Sequence, residues 1–268
     1  MAFKIYHGNS NDTRLRPYRA AQGQIFDLST YLDCPKILSQ LARDSPGDRG
    51  AQKREFAMPT DKSLFFYGPM YHRLFDPQLA EARQVAVDLI AEGSSVLDIG
   101  CGTGLLSFAL KTQKNCRVVG LDLSLRMLEF ARKTSPTPEV TFVHGDATDL
   151  SAYADRSFDY ATLLMLVHEL ASAQQTLVLR EALRVARRAI IIDAVAPLPI
   201  NAEGIGIRVV EATFGRNHNP SFKAFLRGGG IGGILKESAL PVNVEHRAVF
   251  LRNCREVVVA SILQQPTP

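Results

Sequence analysis

No apolar run approaches the about 20 residues that a bilayer-spanning helix needs, so the 268 residues hold no expected membrane span. The opening stretch MAFKIYHGNSNDTRLR lacks the apolar core of a secretion signal. Cysteine is scarce. Cys34, Cys101, Cys116 and Cys254 show neither a Cys-x-x-Cys pair nor metal-ligand spacing. That argues against a disulfide framework and against a metal site, and it fits a reducing, cytoplasmic setting. The net charge is a mild +4, and no dense basic stripe is visible. A nucleic-acid partner is therefore disfavoured.

The most informative residues are 96–104, Val-Leu-Asp-Ile-Gly-Cys-Gly-Thr-Gly. An apolar run of buried-strand length enters a turn with glycine at 100, 102 and 104, and a helix-like segment from Leu105 follows. Strand, glycine turn and helix are how open α/β sheets present a ligand at a strand's carboxyl end. Gly-x-Gly-x-Gly is not the dinucleotide spacing. Asp98 would also set an anion beside a pyrophosphate, whereas a ligand carrying an amine would meet a favourable partner. The amino-acid end of S-adenosylmethionine meets that requirement better than NAD does.

The next elements agree. Residues 117–122 read as a second strand ending in Asp122, at the distance from the glycine turn where an acid holds ribose hydroxyls. Residues 140–143 read as a third strand leading into Asp146, placed to accept from an adenine amino group, or to form its own turn.

Four motifs in order, VLDIGCGTG (96–104), GLDLSLRML (120–128), GDATDL (145–150) and FDYATLLMLVHEL (158–170), resemble those of the class I S-adenosylmethionine-dependent methyltransferases, in the style of the ubiquinone/menaquinone-biosynthesis group. The resemblance covers about residues 64–262. It implies a Rossmann-like α/β fold with a seven-stranded, mostly parallel sheet and an antiparallel C-terminal strand. It implies S-adenosyl-L-methionine as cofactor and a small-molecule methyl acceptor as partner. By the same resemblance Asp98, Gly100 and Gly102 line the methionine end, with Cys101 between them as a small buried side chain. Asp122 takes the ribose, Leu123 and Met127 flank the adenine, Asp146 and Ala147 face its edge, and Leu164 and Met165 close the floor. Tyr67 and Tyr71 would cover the cofactor, although the family's tyrosine-acid pairs are here Tyr67-Gly68 and Tyr71-His72.

Residues 1–62 read as an N-terminal extension, partly irregular, with a short helix at 37–42, and an aromatic cluster at 64–71 follows it just before a helix. Residues 63–268 form the methyltransferase domain. Asp76 is expected to cap a helix that starts at Pro77 and runs to Ile90. Residues 242–251 and 254–262 read as a hairpin joined by Arg252-Asn253. Between them and the fifth strand, 197–240 reads as a substrate cap, and the glycine run at 228–233 as a flexible connection. For proton removal the candidates are His168, with Glu169 beside it, and His218 in the cap. No Asn/Asp-Pro-Pro-aromatic motif follows the fourth strand, which disfavours methylation of nucleic-acid amines and favours a small, apolar or aromatic acceptor. The other reading is an S-adenosylmethionine-binding regulatory or assembly protein without methyl transfer. A homodimer is compatible with either.

Overall fold

The computed structural model describes residues 4–6, 68–137, 139–213 and 218–263. Strands β1 (Lys4–Tyr6), β2 (Ser95–Ile99), β3 (Arg117–Asp122), β4 (Thr141–His144), β5 (Phe158–Leu164), β6 (Ala186–Ala194), β7 (Val242–Phe250) and β8 (Arg255–Ile262) form one sheet in the order β1-β7-β8-β6-β5-β2-β3-β4. The five strands from β6 to β4 are parallel to one another. Strand β8 lies antiparallel between β6 and β7, and β1 pairs antiparallel with β7. The seven expected strands are all present, and β1 is an eighth that three residues of sequence do not announce.

The helices are α1 (Gly68–Leu74), α2 (Ala80–Leu89), α3 (Leu105–Lys114), α4 (Leu125–Thr134), α5 (Ser172–Val185), α6 (Ala202–Thr213), α7 (His218–Arg227) and α8 (Gly230–Glu237). They cover both faces of the sheet. Successive strand residues point to opposite faces: Leu97 and Ile191 join the core under α5, α7 and α8, while Val96, Ile190 and Ile192 join the core under α2, α3 and α4. A strand covered twice must be apolar throughout, which is why Ala189–Ile192 carries no alternation. Each isoleucine of that run is about 1 % exposed, and full burial of such a side chain stabilises by about 1.5–3 kcal/mol.

Three local expectations are corrected. Asp76 opens a 3-10 turn, Asp76–Leu79, ahead of α2, and its carboxylate bonds the Thr103 hydroxyl at 2.7 Å instead of capping a helix. The hairpin loop between β7 and β8 spans residues 251–254 rather than two, and Leu251, Arg252 and Asn253 all take positive φ. The glycine run is no loose connection: Gly229 caps α8 at φ 90°, and Ile231 and Ile234 are buried by it. A side chain at Gly233 would fall within bonding distance of the Gly228 carbonyl, so the run permits a close backbone approach.

Among the described residues, no helix is long and apolar enough to cross a membrane, and no cluster of metal-ligating side chains occurs. Cys101, Cys116 and Cys254 are free and buried. The expected helix at 37–42, Cys34, Tyr67 and the extension apart from β1 lie outside the described residues.

Candidate active site

Strand β2 pairs with β3 on one side and β5 on the other, so chain order reverses there. In open parallel sheets this is where ligands enter, beyond the carboxyl ends of the strands. The sequence places Asp98 at that end of β2, Asp122 at the end of β3, Asp193 near the end of β6, and Asp146 and Glu169 just after β4 and β5.

The glycine turn hugs the neighbouring strand. The amides of Gly100 and Cys101 donate to the Leu121 carbonyl at 2.8 and 3.0 Å, and the Gly102 amide donates to Asp122 Oδ2 at 2.8 Å. Gly102 has φ 54°, and a Cβ built on it would meet nothing within 4 Å. It therefore faces open space in a conformation that suits glycine. Gly104, at φ 79°, is needed for packing instead, since a Cβ there would sit 2.8 Å from the Phe142 ring.

Asp98 is 2 % exposed. Its carboxylate accepts from the Ser107 hydroxyl at 2.6 Å and the Thr162 hydroxyl at 2.8 Å. Burial outweighs both donors and pushes its pKa up to about 6. Asp122 accepts from the amides of Gly102 and Ser124, and burial also raises it. Ser124 then caps α4 through the Met127 amide at 3.3 Å.

A cleft opens beside Asp98 and the glycine turn, with Asp122 outside its lining. Its lining includes Asp98, Gly100, Cys101, Gly102 and Leu164 from the sequence candidates, and Tyr71 from α1. Burial raises Tyr71 above the ordinary phenol value, and the nearby carboxylates of Glu169, Asp76, Glu211 and Asp122 raise it further. Burial likewise keeps the Cys101 thiol protonated, in keeping with a small buried side chain. Six lining residues were missed by sequence reasoning, three of them polar: Asp76, Arg83 and Thr103. Asp76 holds Thr103 by a hydrogen bond, and the Arg83 guanidinium lies 3.6 Å from its other oxygen. The signal that could have found Arg83 is a cation on the α2 face turned to the glycine turn.

Other candidates fall elsewhere. Met127, on α4, is 2 % exposed, whereas Leu123 is 56 % exposed. Asp146 Oδ1 accepts from both the amide and the hydroxyl of Thr148, which is turn formation. Ala147 packs against the core, and Met165 is buried at φ 55° just past β5. His218 starts α7, and its side chain is not among those described.

His168 lies in a 3-10 turn, Val167–Glu169, and is 3 % exposed. Its Nδ1 is 2.7 Å from Asp193 Oδ1, and its Nε2 is 3.8 Å from Glu211 Oε1 on α6. Burial alone would lower the imidazole, but Asp193, by charge and hydrogen bond, and then Glu211 and Glu169 push it up to about 9. The surrounding carboxylates thus favour the protonated ring. The protonated form that these carboxylates favour has no lone pair on either ring nitrogen, which argues against a base role for His168.

The site fits S-adenosylmethionine on these observations. A buried carboxylate bonded by neutral donors, a second carboxylate one strand away and a glycine facing open space make a cradle for a polar, cationic ligand. Residues 96–189 match a family model described as methyltransferase domain. The chain is 35% identical over 123 residues to O-methyltransferase cnsE of Penicillium expansum, covering 44% of each. It is 37% identical over 93 residues to the demethylmenaquinone methyltransferase of Staphylococcus aureus strain JH9, covering 33% of this chain and 38% of that protein. The chain thus matches less than half the length of these curated relatives. Among solved structures, the PH0226 protein of Pyrococcus horikoshii OT3 shares the fold, with a TM-score of 0.57 at 18% identity, over 78% of this chain and all of that one. Residues 96–189 are thus similar to a methyltransferase domain, and the solved structure adds the fold alone.

Proposed function

We propose that this protein transfers the methyl group of S-adenosylmethionine to a small, apolar or aromatic acceptor held between the cleft and the segment 197–240. The carrying observation is Asp98, a buried carboxylate at the switch point that is bonded by hydroxyls and, among the described residues, by no cation. Bound there, the cofactor supplies a methyl group on a positively charged sulfur whose leaving group is a neutral thioether.

Each side chain then has a task. Asp98 faces the ammonium and Arg83 the carboxylate of the methionine end. Asp122 accepts from the ribose hydroxyls. The Tyr71 ring offers its face to the sulfonium, a contact of about 0.5–2 kcal/mol. Leu164, α1 and the cap helices exclude water, and holding the two reactants in line is worth as much as ~7–11 kcal/mol. The names of the two curated relatives support a small acceptor, and the paired ring contacts of α7 with the turn after β5 support a covering role for 197–240.

Removing Asp122 tests the assignment. Asp122→Ala should weaken S-adenosylmethionine binding by about 1.5–3 kcal/mol, roughly 10- to 150-fold. Calorimetric titration of the folded variant with unchanged affinity refutes the ribose role. Production of S-adenosylhomocysteine with a panel of phenols and quinols reports the transfer itself.

A further inference from the structure

His168 leaves the list of bases with its surroundings unexplained. A buried cation is costly unless it is paired, and this one touches groups from separate elements. Asp193 approaches from β6 and bonds both the imidazole Nδ1 and the His168 amide, at 2.7 and 3.2 Å. Glu211 approaches Nε2 from α6 and is itself only 6 % exposed. From α7, Phe222 and Phe225 present rings at 5.6 and 6.3 Å with tilted, edge-type geometry. Glu169 adds charge from the same turn, and Arg255 faces Asp193 from β8.

We propose that His168 is a positioning residue: held by Asp193 on one nitrogen and drawn to Glu211 on the other, it ties helix α6 to the end of strand β6 and sets where the segment 197–240 stands over the cofactor cleft. Any effect on turnover rests on the covering role proposed for that segment. The tie itself does not, because it is read from the chain without ligand.

The sign of the pH dependence follows from the raised pKa. The tie is complete below the ordinary imidazole value of 6.5 and is lost as pH rises through about 9. Deprotonation leaves Glu211 beside a neutral ring, and that charge attraction disappears.

Hydrogen exchange on the full-length chain, followed from pH 7 to 10 and corrected for intrinsic base catalysis, tests this. Glu211→Gln keeps the side chain's shape and removes its charge. It should speed exchange within 202–213 by roughly tenfold, the scale of one charge-assisted contact, and leave 105–134 unchanged. The unaltered chain should show the same acceleration with a midpoint near pH 9, and the variant should show no such step. Nitrogen NMR of the His168 ring should report an imidazolium at pH 7, a signature that packing alone does not produce. A neutral ring at pH 7, an acceleration spread evenly over the sheet, or no change in 202–213 overturns the proposal. Should His168→Gln fail to fold, Glu211→Gln and the ring spectrum still decide. Titration of the unaltered chain with S-adenosylhomocysteine is the separate check: failure to bind there sinks the proposed function and leaves the tie standing.

Discussion

The two sides of the switch point treat buried acid differently. On the β2–β3 side, Asp98 and Asp122 are held by hydroxyls and amides, and their pKa values are raised. On the β6–β8 side, Asp193 sits against His168 and is lowered, while Glu256, opposite it in the sheet, is raised by burial but bonded by Arg247 at 2.6 Å. Both sides are built from strand-end carboxylates, Asp98, Asp193 and Glu256 buried and Asp122 half-buried. One supplies its own cations, and the other leaves the positive partner to come from outside. That difference, rather than the presence of acids, marks where a cationic ligand belongs.

The comparison breaks first if the paired side tolerates loss of a partner. Asp193→Asn leaves His168 either charged without its main partner or forced neutral, and removing one member of a buried pair costs about 3–5 kcal/mol. Urea unfolding of the ligand-free chain should show a loss of that size. The pair also sets a pH window. Because Asp193 is lowered, its contribution is present above the ordinary carboxylate value of 3.8 and fades as pH falls below it. Because His168 is raised, its contribution fades as pH climbs through about 9.

The unpaired side should behave in the opposite way. Asp98→Asn removes a charge that folding does not use, so the ligand-free chain should keep its stability or gain. Affinity for S-adenosylmethionine should drop by about 1.5–3 kcal/mol, the worth of a charged hydrogen bond. In the unaltered chain, affinity should fall as pH drops through about 6, because Asp98 then takes up a proton. Its own contribution to ligand-free stability runs the other way: greatest below 3.8, lost as pH rises through about 6. Calorimetry between pH 5 and 8 checks both slopes, and a flat affinity profile removes Asp98 from the site.

Legibility in the sequence follows the same divide. The β2–β3 side was readable because its chemistry is local: Asp98 precedes the glycines, Asp122 ends an apolar run, and the strands announce themselves. The β6–β8 side was not. His168 was visible, but its partners lie 25 and 43 positions away on other elements, and nothing in a linear pattern joins them. Asp76 misled for a related reason. Ahead of Pro77 it has the look of a helix cap, yet tertiary contact with Thr103 won. Strand β1 is set by the open edge of β7 rather than by its own three residues. The glycine run read as loose chain because the helix it starts is stabilised by burial of Ile231 and Ile234 against distant strands.

Gly102 sharpens the contrast at intermediate size. With φ 54° and no neighbour within 4 Å of the point a Cβ would occupy, Gly102→Ala should cost stability only the left-handed backbone penalty, about 1–2 kcal/mol. Its effect on S-adenosylmethionine affinity should exceed that, since the methyl group occupies the face turned to the cleft. A melting experiment beside a titration separates the two.

The smallest effect belongs to an ion pair on the paired side that is not buried. Arg188 Nε donates to Glu245 Oε2 at 2.7 Å, bridging β6 and β7, as short as the His168–Asp193 contact. Yet Arg188 is 46% and Glu245 29% exposed along the side chain, against 3% and 0% for His168 and Asp193. Water and salt screen the exposed pair, so Arg188→Gln should cost about 0.2–1 kcal/mol and less still at high ionic strength. If urea unfolding gave Arg188→Gln a cost equal to that of Asp193→Asn, distance rather than desolvation would govern both, and the distinction drawn between the two sides of the sheet would lose its physical basis.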